Sequence, residues 1–206
     1  MRAFVMFGGD RWGLSALFTE RYEFAAAEVQ GHCLDVGCGP HDRFVRQFLG
    51  GRGAGIDVFP YAGLTAGQLM RDPRHFPFAD GTFDTVTFNA CFNHIPKSLR
   101  DVEVAEAARC LRPGGNIVIT MGNPAAELAV HGVLWLYDRV LGTKYDLDHQ
   151  RGMHAEESYY VRDSEIAGCL TRNQFVGLRK KHFWTQWGLN HLFVAWKPPG
   201  RTEAAR

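Results

Sequence analysis

The stretch that most constrains the fold is a short apolar run that ends in two closely spaced glycines. Residues 32–36 read His-Cys-Leu-Asp-Val, glycine stands at 37 and 39, and a helical pattern follows from Asp42. Because glycine lacks a Cβ atom, a turn at these positions can be sharp and can let a ligand approach its N–H groups. The pattern predicts a strand, a tight turn and a helix start, an arrangement that holds nucleotides at the end of a parallel strand.

A second predicted strand, residues 54–59, ends at Pro60 and carries Asp57 near its carboxyl end. An acidic residue roughly twenty positions past the glycine turn meets ribose hydroxyls in nucleotide-binding folds. A carboxylate suits this role because it can accept two hydrogen bonds from a vicinal diol. The alternative for Asp57 is an aspartate that only shapes the turn after the strand.

The segment 71–88 combines an aspartate, a Phe-Pro-Phe triplet at 76–78, a turn at Asp80-Gly81 and a run rich in β-branched and aromatic residues. The last run predicts a buried strand over 83–89. A capping-box pattern at Ser98 predicts the start of a helix whose inward face carries apolar residues, namely Leu99, Val102, Ala105, Ala108 and Leu111. Leu-Arg-Pro-Gly-Gly at 111–115 ends that helix before a predicted strand at 116–121.

Four stretches, at 34–40, 55–59, 72–88 and 111–121, resemble in order and spacing the motifs of the class I S-adenosylmethionine-dependent methyltransferases of small-molecule type. The resemblance implies a three-layer, Rossmann-like α/β sandwich. Its mostly parallel sheet would have seven strands in the order 3-2-1-4-5-7-6, with an antiparallel last strand. Two predicted strands, from Phe175 to about Thr185 and from Asn190 to Lys197, fit the closing antiparallel hairpin.

The same resemblance implies that S-adenosylmethionine is the cofactor and S-adenosylhomocysteine the product. The cofactor-binding positions that it implies are Asp35, Gly37, Cys38, Gly39, Asp57, Val58, Asp72, Pro73, Asn89 and Ala90. Asp72 would accept a hydrogen bond from the adenine amine, although an Asx turn before Pro73 explains it equally well locally. Aromatic rings can hold a sulfonium by cation–π attraction, and the candidates, each of which also suits plain core, are Phe92, Trp135 and Tyr137.

The acceptor side is predicted to lie under an insertion at 123–162. The tentative substrate residues are His94, Tyr137, His149 and His154, and His94 is the tentative general base. The family often has a paired histidine here, but Asn93 replaces the first. A cofactor-binding protein without turnover therefore stays open as an alternative. No metal is predicted, because the acidic and histidine-rich stretch 145–157 matches no recognised ligand spacing.

An NAD-dependent oxidoreductase is a further alternative, but the dehydrogenase fingerprint requires a third glycine where this chain has Asp42. A net charge of +1 gives no electrostatic footprint for nucleic acid or anionic lipid. The expected partner is a small-molecule acceptor, with no nucleic acid and no membrane, and the oligomeric state is not indicated. The acceptor and the atom that is methylated are not indicated either.

The length of 206 residues suits one domain, predicted over 1–200, with a covering helix at 14–30 and a tail at 201–206. The five cysteines are odd in number and form no Cys-x-x-Cys pair. They are therefore expected to be reduced thiols. With no apolar leader at the N-terminus and no spanning run, the expected location is cytoplasmic.

Overall fold

The structure is a computed structural model that describes residues 17–122, 139–140, 161–183 and 190–200. Its helices are α1 (Leu17–Ala26), α2 (Lys97–Cys110) and α3 (Asp163–Arg172). Its strands are β1 (Cys33–Val36), β2 (Gly53–Ile56), β3 (Phe83–Asn89), β4 (Leu111–Gly122), β5 (Val176–His182) and β6 (Asn190–Trp196). Short helical turns lie at Pro40–Asp42, Phe44–Phe48 and Ala66–Gln68.

The six strands form one sheet in the order β2-β1-β3-β4-β6-β5. Strands β2, β1, β3 and β4 pair in parallel, whereas β6 is antiparallel to β4 and β5 is antiparallel to β6. The predicted α/β fold with a parallel array and a closing hairpin is therefore confirmed. The turn of that hairpin, 184–189, lies outside the described residues.

Within the described residues the sheet has six strands, where the resemblance implied seven. Beyond β2, the neighbouring segment contributes only one isolated parallel bridge, between Asp57 and Leu69. Prolines at 60, 73 and 77 remove backbone donors from this segment, and a strand that lacks its donors cannot extend a ladder. The edge strand of the predicted order is thus reduced to a single residue pair.

Alternation along the strands divides the core into two layers. On one face, Cys33 and Val118 belong to a buried cluster with Ala25 of α1. On the other face, their neighbours Leu34 and Ile117 belong to a cluster that includes residues of α2 and α3. Because successive side chains in a strand point to opposite faces, both faces of the sheet are covered by helices. The predicted three-layer arrangement is confirmed.

Helix α2 differs from its prediction in both its start and its inward face. The helix begins at Lys97 after Pro96, and no side chain caps it, so the predicted capping box at Ser98 was wrong. Its buried residues are Arg100, Glu103, Val104, Ala107 and Cys110. The apolar pattern indicated a different face because two of the residues that turn inward are charged.

Several predicted segments lie partly or wholly outside the described residues. The covering helix is seen over Leu17–Ala26, while 14–16 lie outside the described residues. Most of the predicted insertion at 123–162 and the whole tail at 201–206 are likewise outside. The domain boundaries therefore stay a prediction. Within the portions that the structure describes, no helix is long and apolar enough to cross a membrane.

Arg100 of α2 fixes the loop that follows β3. Its side chain is 2% exposed. The guanidinium donates to the carbonyl of Ile95 at 3.0 Å, to the carbonyl of Asn93 at 3.5 Å and to the Glu165 carboxylate of α3. A buried guanidinium is tolerated only where such partners replace water. Arg100 thus ties loop 90–96 to two helices.

We predict that Arg100→Leu lowers the free energy of unfolding by about 3 kcal/mol, because it leaves two carbonyls and a partly buried carboxylate without their donor. Urea denaturation followed by circular dichroism measures the change. Arg172→Leu is the matched control, since Arg172 joins the same two helices through Asp101 but both side chains are about half exposed. A loss as large for Arg172→Leu would contradict the argument from burial.

Candidate functional site

A cavity of about 550 Å³ lies at the carboxyl ends of β1, β2 and β3. Strand β1 is paired with β2 on one side and β3 on the other, so this is the point where ligands bind in open parallel sheets. The residues that line it are Tyr22, Val36, Gly37, Cys38, Gly39, Asp57, Val58, Phe59, Tyr61, Met70, Arg71, Pro73, Asn89, Ala90, Cys91, His94, Ile95, Pro96, Leu99 and Glu103.

The glycine turn is bonded to the next strand rather than standing free. Gly37 and Cys38 donate their N–H groups to the carbonyl of Ile56, at 2.8 and 3.1 Å. Gly37 and Gly39 have φ angles of 69° and 64°. A Cβ on Gly37 would lie 2.7 Å from that of Cys91, whereas one on Gly39 would meet nothing within 4 Å. Gly37 is therefore required for packing, and Gly39 is where a ligand can approach the backbone.

Asp57 joins the turn to the end of β2. Its carboxylate accepts the N–H of Gly39 and the N–H of Phe59, both at 2.9 Å. The residue is 6% exposed and its side chain lines the cavity. A carboxylate has about four acceptor sites. Two fixed backbone donors therefore orient a group that can also accept from a ligand hydroxyl.

Asp35 lies behind the cavity wall, and it is not among the lining residues. Thr87 and Asn89 donate to the same carboxylate oxygen, Oδ1, at 2.6 and 2.9 Å. The other oxygen is buried without a hydrogen-bond partner within the described part of the chain. Burial raises the pKa of Asp35 to about 7, against the lowering effect of the two donors. Asp35 therefore orients Asn89, which does line the cavity.

Ala90 follows Asn89 with a φ of 52°, a conformation that alanine rarely adopts. Its N–H donates to the carbonyl and the hydroxyl oxygen of Thr120, both at 3.1 Å. These bonds hold the backbone in the left-handed region at the end of β3. Backbone strain of this kind clusters at ligand sites.

The structure gives Asp72 the local arrangement that was the alternative to adenine binding. Its carboxylate accepts the N–H of Arg74 at 2.9 Å, as in an Asx turn, and its side chain is 59% exposed. The neighbours Arg71 and Pro73 line the cavity, but Asp72 does not. Its contact with adenine stays a prediction.

On the acceptor side, His94 lines the cavity and its Nε2 lies 3.3 Å from Nδ2 of Asn93. Tyr22 of α1 also faces the cavity, and burial raises the pKa of its hydroxyl. Phe92 does not line the cavity: it is fully buried and packs edge-on against Phe88. The other predicted residues of this side, Trp135, Tyr137, His149 and His154, lie outside the described residues.

Glu103 is a cavity residue that the sequence interpretation missed. It lies one helical turn after Leu99, and both line the cavity. Only 4% of the residue is exposed, yet no described residue hydrogen-bonds to its carboxyl group. Burial, with a smaller contribution from the negative charge of Asp57, raises the pKa of Glu103 to about 8. In the sequence, the one indication of this position was that Glu103 directly precedes Val104, an apolar residue of the same helix.

Neither a metal centre nor a thiol site is built from the described residues. Across 17–122, 139–140, 161–183 and 190–200, no group of three His, Cys, Asp or Glu residues could hold a metal ion. The stretch 145–157 lies outside these ranges. Cys38 and Cys91 line the cavity, but burial raises the pKa of both thiols, which disfavours the reactive thiolate.

Comparison with known proteins identifies the fold. Residues 34–119 match a family model described as a methyltransferase domain. None of the curated proteins matches the chain. Among solved structures, an S-adenosylmethionine-dependent methyltransferase of Methanosarcina mazei aligns at 18% identity with a TM-score of 0.55, covering 86% of this chain and 98% of that one.

Two other solved structures contain ligands. The 1,6-didemethyltoxoflavin-N1-methyltransferase of Burkholderia thailandensis aligns at 19% identity with a TM-score of 0.58, covering 92% of this chain and 81% of that one. Phosphoethanolamine N-methyltransferase 2 of Haemonchus contortus aligns at 16% identity with a TM-score of 0.54, covering 92% and 59%. At these identities the likeness establishes the fold.

We predict that Glu103→Gln stabilises the protein at pH 8.5 and has a much smaller effect at pH 5. The folded state binds the Glu103 proton more tightly than the unfolded state, whose pKa is near 4.5. Wild-type stability relative to the variant therefore falls as the pH rises from about 4.5 to about 8. The gain should exceed about 1.4 kcal/mol, the equivalent of one pKa unit. Denaturant titrations at both pH values measure it.

Glu106→Gln, on the same helix, is the control with the opposite sign. Arg109 holds the pKa of Glu106 below its usual range. The charged form of Glu106 therefore stabilises the fold above the unfolded pKa, and the variant should be less stable at neutral pH. A gain in stability from both substitutions would show that the effect of Glu103 is not caused by its burial.

Proposed function

We propose that this chain is a class I S-adenosylmethionine-dependent methyltransferase and that it methylates a small-molecule acceptor bound beside His94. The match of residues 34–119 to a family model described as a methyltransferase domain supports the first part of the proposal. The observation that carries the proposal is the convergence of Gly39, Asp57 and Asn89 on one cavity at three adjacent strand ends. S-adenosylmethionine supplies an activated methyl group on a sulfonium. The chain has to bind it, align it and exclude water.

The residues at the strand ends fit this cofactor. Asp57 would accept the ribose hydroxyls, since its carboxylate faces the cavity and is oriented by two backbone donors. The amino-acid tail would rest on the turn at Gly39, where no side chain occupies the space next to the backbone. Asn89, which is held by Asp35, would contact the ligand from the end of β3.

The lining and the volume of the cavity support a small acceptor. Tyr22 of α1 and His94 both line the cavity, and its volume of about 550 Å³ suits a cofactor and a small molecule. The similar structure from Burkholderia contains 1,6-didemethyltoxoflavin with S-adenosylhomocysteine. The predicted insertion at 123–162 would complete the acceptor side.

Methyl transfer is an in-line displacement, and alignment of the acceptor with the methyl group is the main task of the protein. The acceptor atom forms a bond to the methyl carbon while the carbon–sulfur bond breaks. If the acceptor carries a proton, His94 is the group placed to accept it, since the ring of His94 lies in the cavity beside Asn93.

The direct test is calorimetric titration with S-adenosylhomocysteine and, as a control nucleotide, NAD. The proposal requires binding of the first and no comparable binding of the second. Incubation with labelled S-adenosylmethionine and a library of small hydroxyl, amine and thiol acceptors then tests for turnover. Binding without methylation of any acceptor would favour the alternative of a cofactor-binding protein that lacks turnover.

We predict that Asp57→Ala weakens binding of S-adenosylhomocysteine roughly ten- to hundredfold, since a hydrogen bond to a charged group is worth about 1.5–3 kcal/mol. The control is Asp80→Ala, because Asp80 is highly exposed and is not among the lining residues. Thermal melting of both variants verifies that they are folded. Unchanged affinity in a folded Asp57→Ala variant would mean that the ribose lies elsewhere.

A further inference from the structure

Glu103 is a buried acid, and none of the cofactor contacts proposed above involves it. It faces the cavity, it is almost inaccessible to water, and no described residue hydrogen-bonds to its carboxyl group. A polar group left in this state costs stability unless a ligand completes its hydrogen bonds. The position therefore indicates a contact with whatever fills the cavity.

The surroundings of Glu103 suit a flat apolar group with a polar edge. The cavity that Glu103 lines also has apolar residues in its wall, among them Val58, Met70, Ile95 and Leu99. The negative charge of Asp57 acts on Glu103. If the ribose is held by Asp57, the base attached to it lies near that carboxylate. Glu103 is a second lining acid, and its pKa is raised in part by the charge of Asp57.

We propose that Glu103 recognises the adenine of the bound cofactor as a neutral carboxylic acid, in the role that the sequence assigns to Asp72. This inference rests on the proposed function. The carbonyl oxygen of the acid accepts a hydrogen from the exocyclic amine of adenine, and its O–H donates to the adjacent ring nitrogen. A neutral acid offers one acceptor and one donor, which match that edge; a carboxylate offers acceptors only.

Two observations support a neutral Glu103 and the choice of Glu103 over Asp72 as the adenine contact. The pKa of Glu103 is raised to about 8 by burial, so the acid keeps its proton at neutral pH. Asp72, by contrast, is exposed, and its carboxylate already accepts the N–H of Arg74. The residue after Asp72 is a proline, which has no N–H to donate to the base.

The test is the pH dependence of ligand binding, measured by calorimetry for S-adenosylhomocysteine and for 5′-methylthioadenosine, which lacks the amino-acid tail and its titrating groups. Wild-type affinity for both should fall roughly tenfold or more between pH 7 and pH 9.5, as Glu103 loses its proton. Glu103→Gln should retain the affinity at pH 7 and lose most of this pH dependence, because an amide also offers one acceptor and one donor.

Other titratable groups line the same cavity, and they are Tyr22, Cys38, Asp57, Tyr61, Arg71, Cys91 and His94. All of them remain in Glu103→Gln, so the difference between the two proteins isolates Glu103. Glu103→Leu should weaken binding of both ligands roughly ten- to hundredfold at pH 7. Since it removes a buried acid that no described residue hydrogen-bonds, it should melt no lower than wild type. Asp72→Ala should change affinity less than threefold.

The results that would contradict the role of Glu103 differ from the result that would contradict the proposed function. Wild-type affinity that rises with pH, with Glu103→Gln as weak as Glu103→Leu, would mean that a carboxylate binds a cationic group, and it would overturn the inference. Equal affinities for wild type and Glu103→Leu would overturn it as well. No binding of either ligand to wild type at any pH would instead remove the proposed function on which it rests.

Discussion

The site depends on the hydrogen bonds that join the turn after β1 to the end of β2. Gly37 and Cys38 donate to the Ile56 carbonyl, and Gly39 donates to the Asp57 carboxylate. These bonds extend the β1–β2 pairing past the last residue of each strand, so that the turn proposed to bind the cofactor is fixed by the sheet itself. Preorganisation of this kind lowers the cost of ordering the backbone when a ligand binds.

The sequence predicted the elements whose signal is local. Strand β3 has the predicted bounds because β-branched and aromatic residues fill it, and Asp57 lies where the spacing after the glycine turn placed it. Features that depend on partners far along the chain were not accessible in the same way. Asp35 meets Thr87 and Asn89 more than fifty residues away, and nothing near Asp35 in sequence indicates that its carboxylate faces inward to them.

Helix α2 shows most clearly why hydrophobic pattern alone was insufficient. Arg100 and Glu103 both turn inward, so the apolar residues no longer mark the buried face. Each charged residue is inward for a reason that tertiary structure supplies. Arg100 has acceptors from the loop after β3 and from α3, whereas Glu103 faces the cavity. Local rules of burial are expected to fail at functional sites. Arg100 is an exception with a structural cause, and Glu103 is an exception at the cavity wall.

The protonation of the buried acids also has a consequence for methyl transfer. The positive charge on sulfur disappears as the transition state forms, so negative charge near the sulfonium stabilises the bound cofactor more than the transition state. Burial keeps Glu103 neutral at pH 7 and raises the pKa of Asp35 to about 7. A cavity with three acidic residues in or behind its wall therefore carries less negative charge than its composition suggests. It retains hydrogen-bonding groups for recognition while limiting an electrostatic attraction that would slow the reaction.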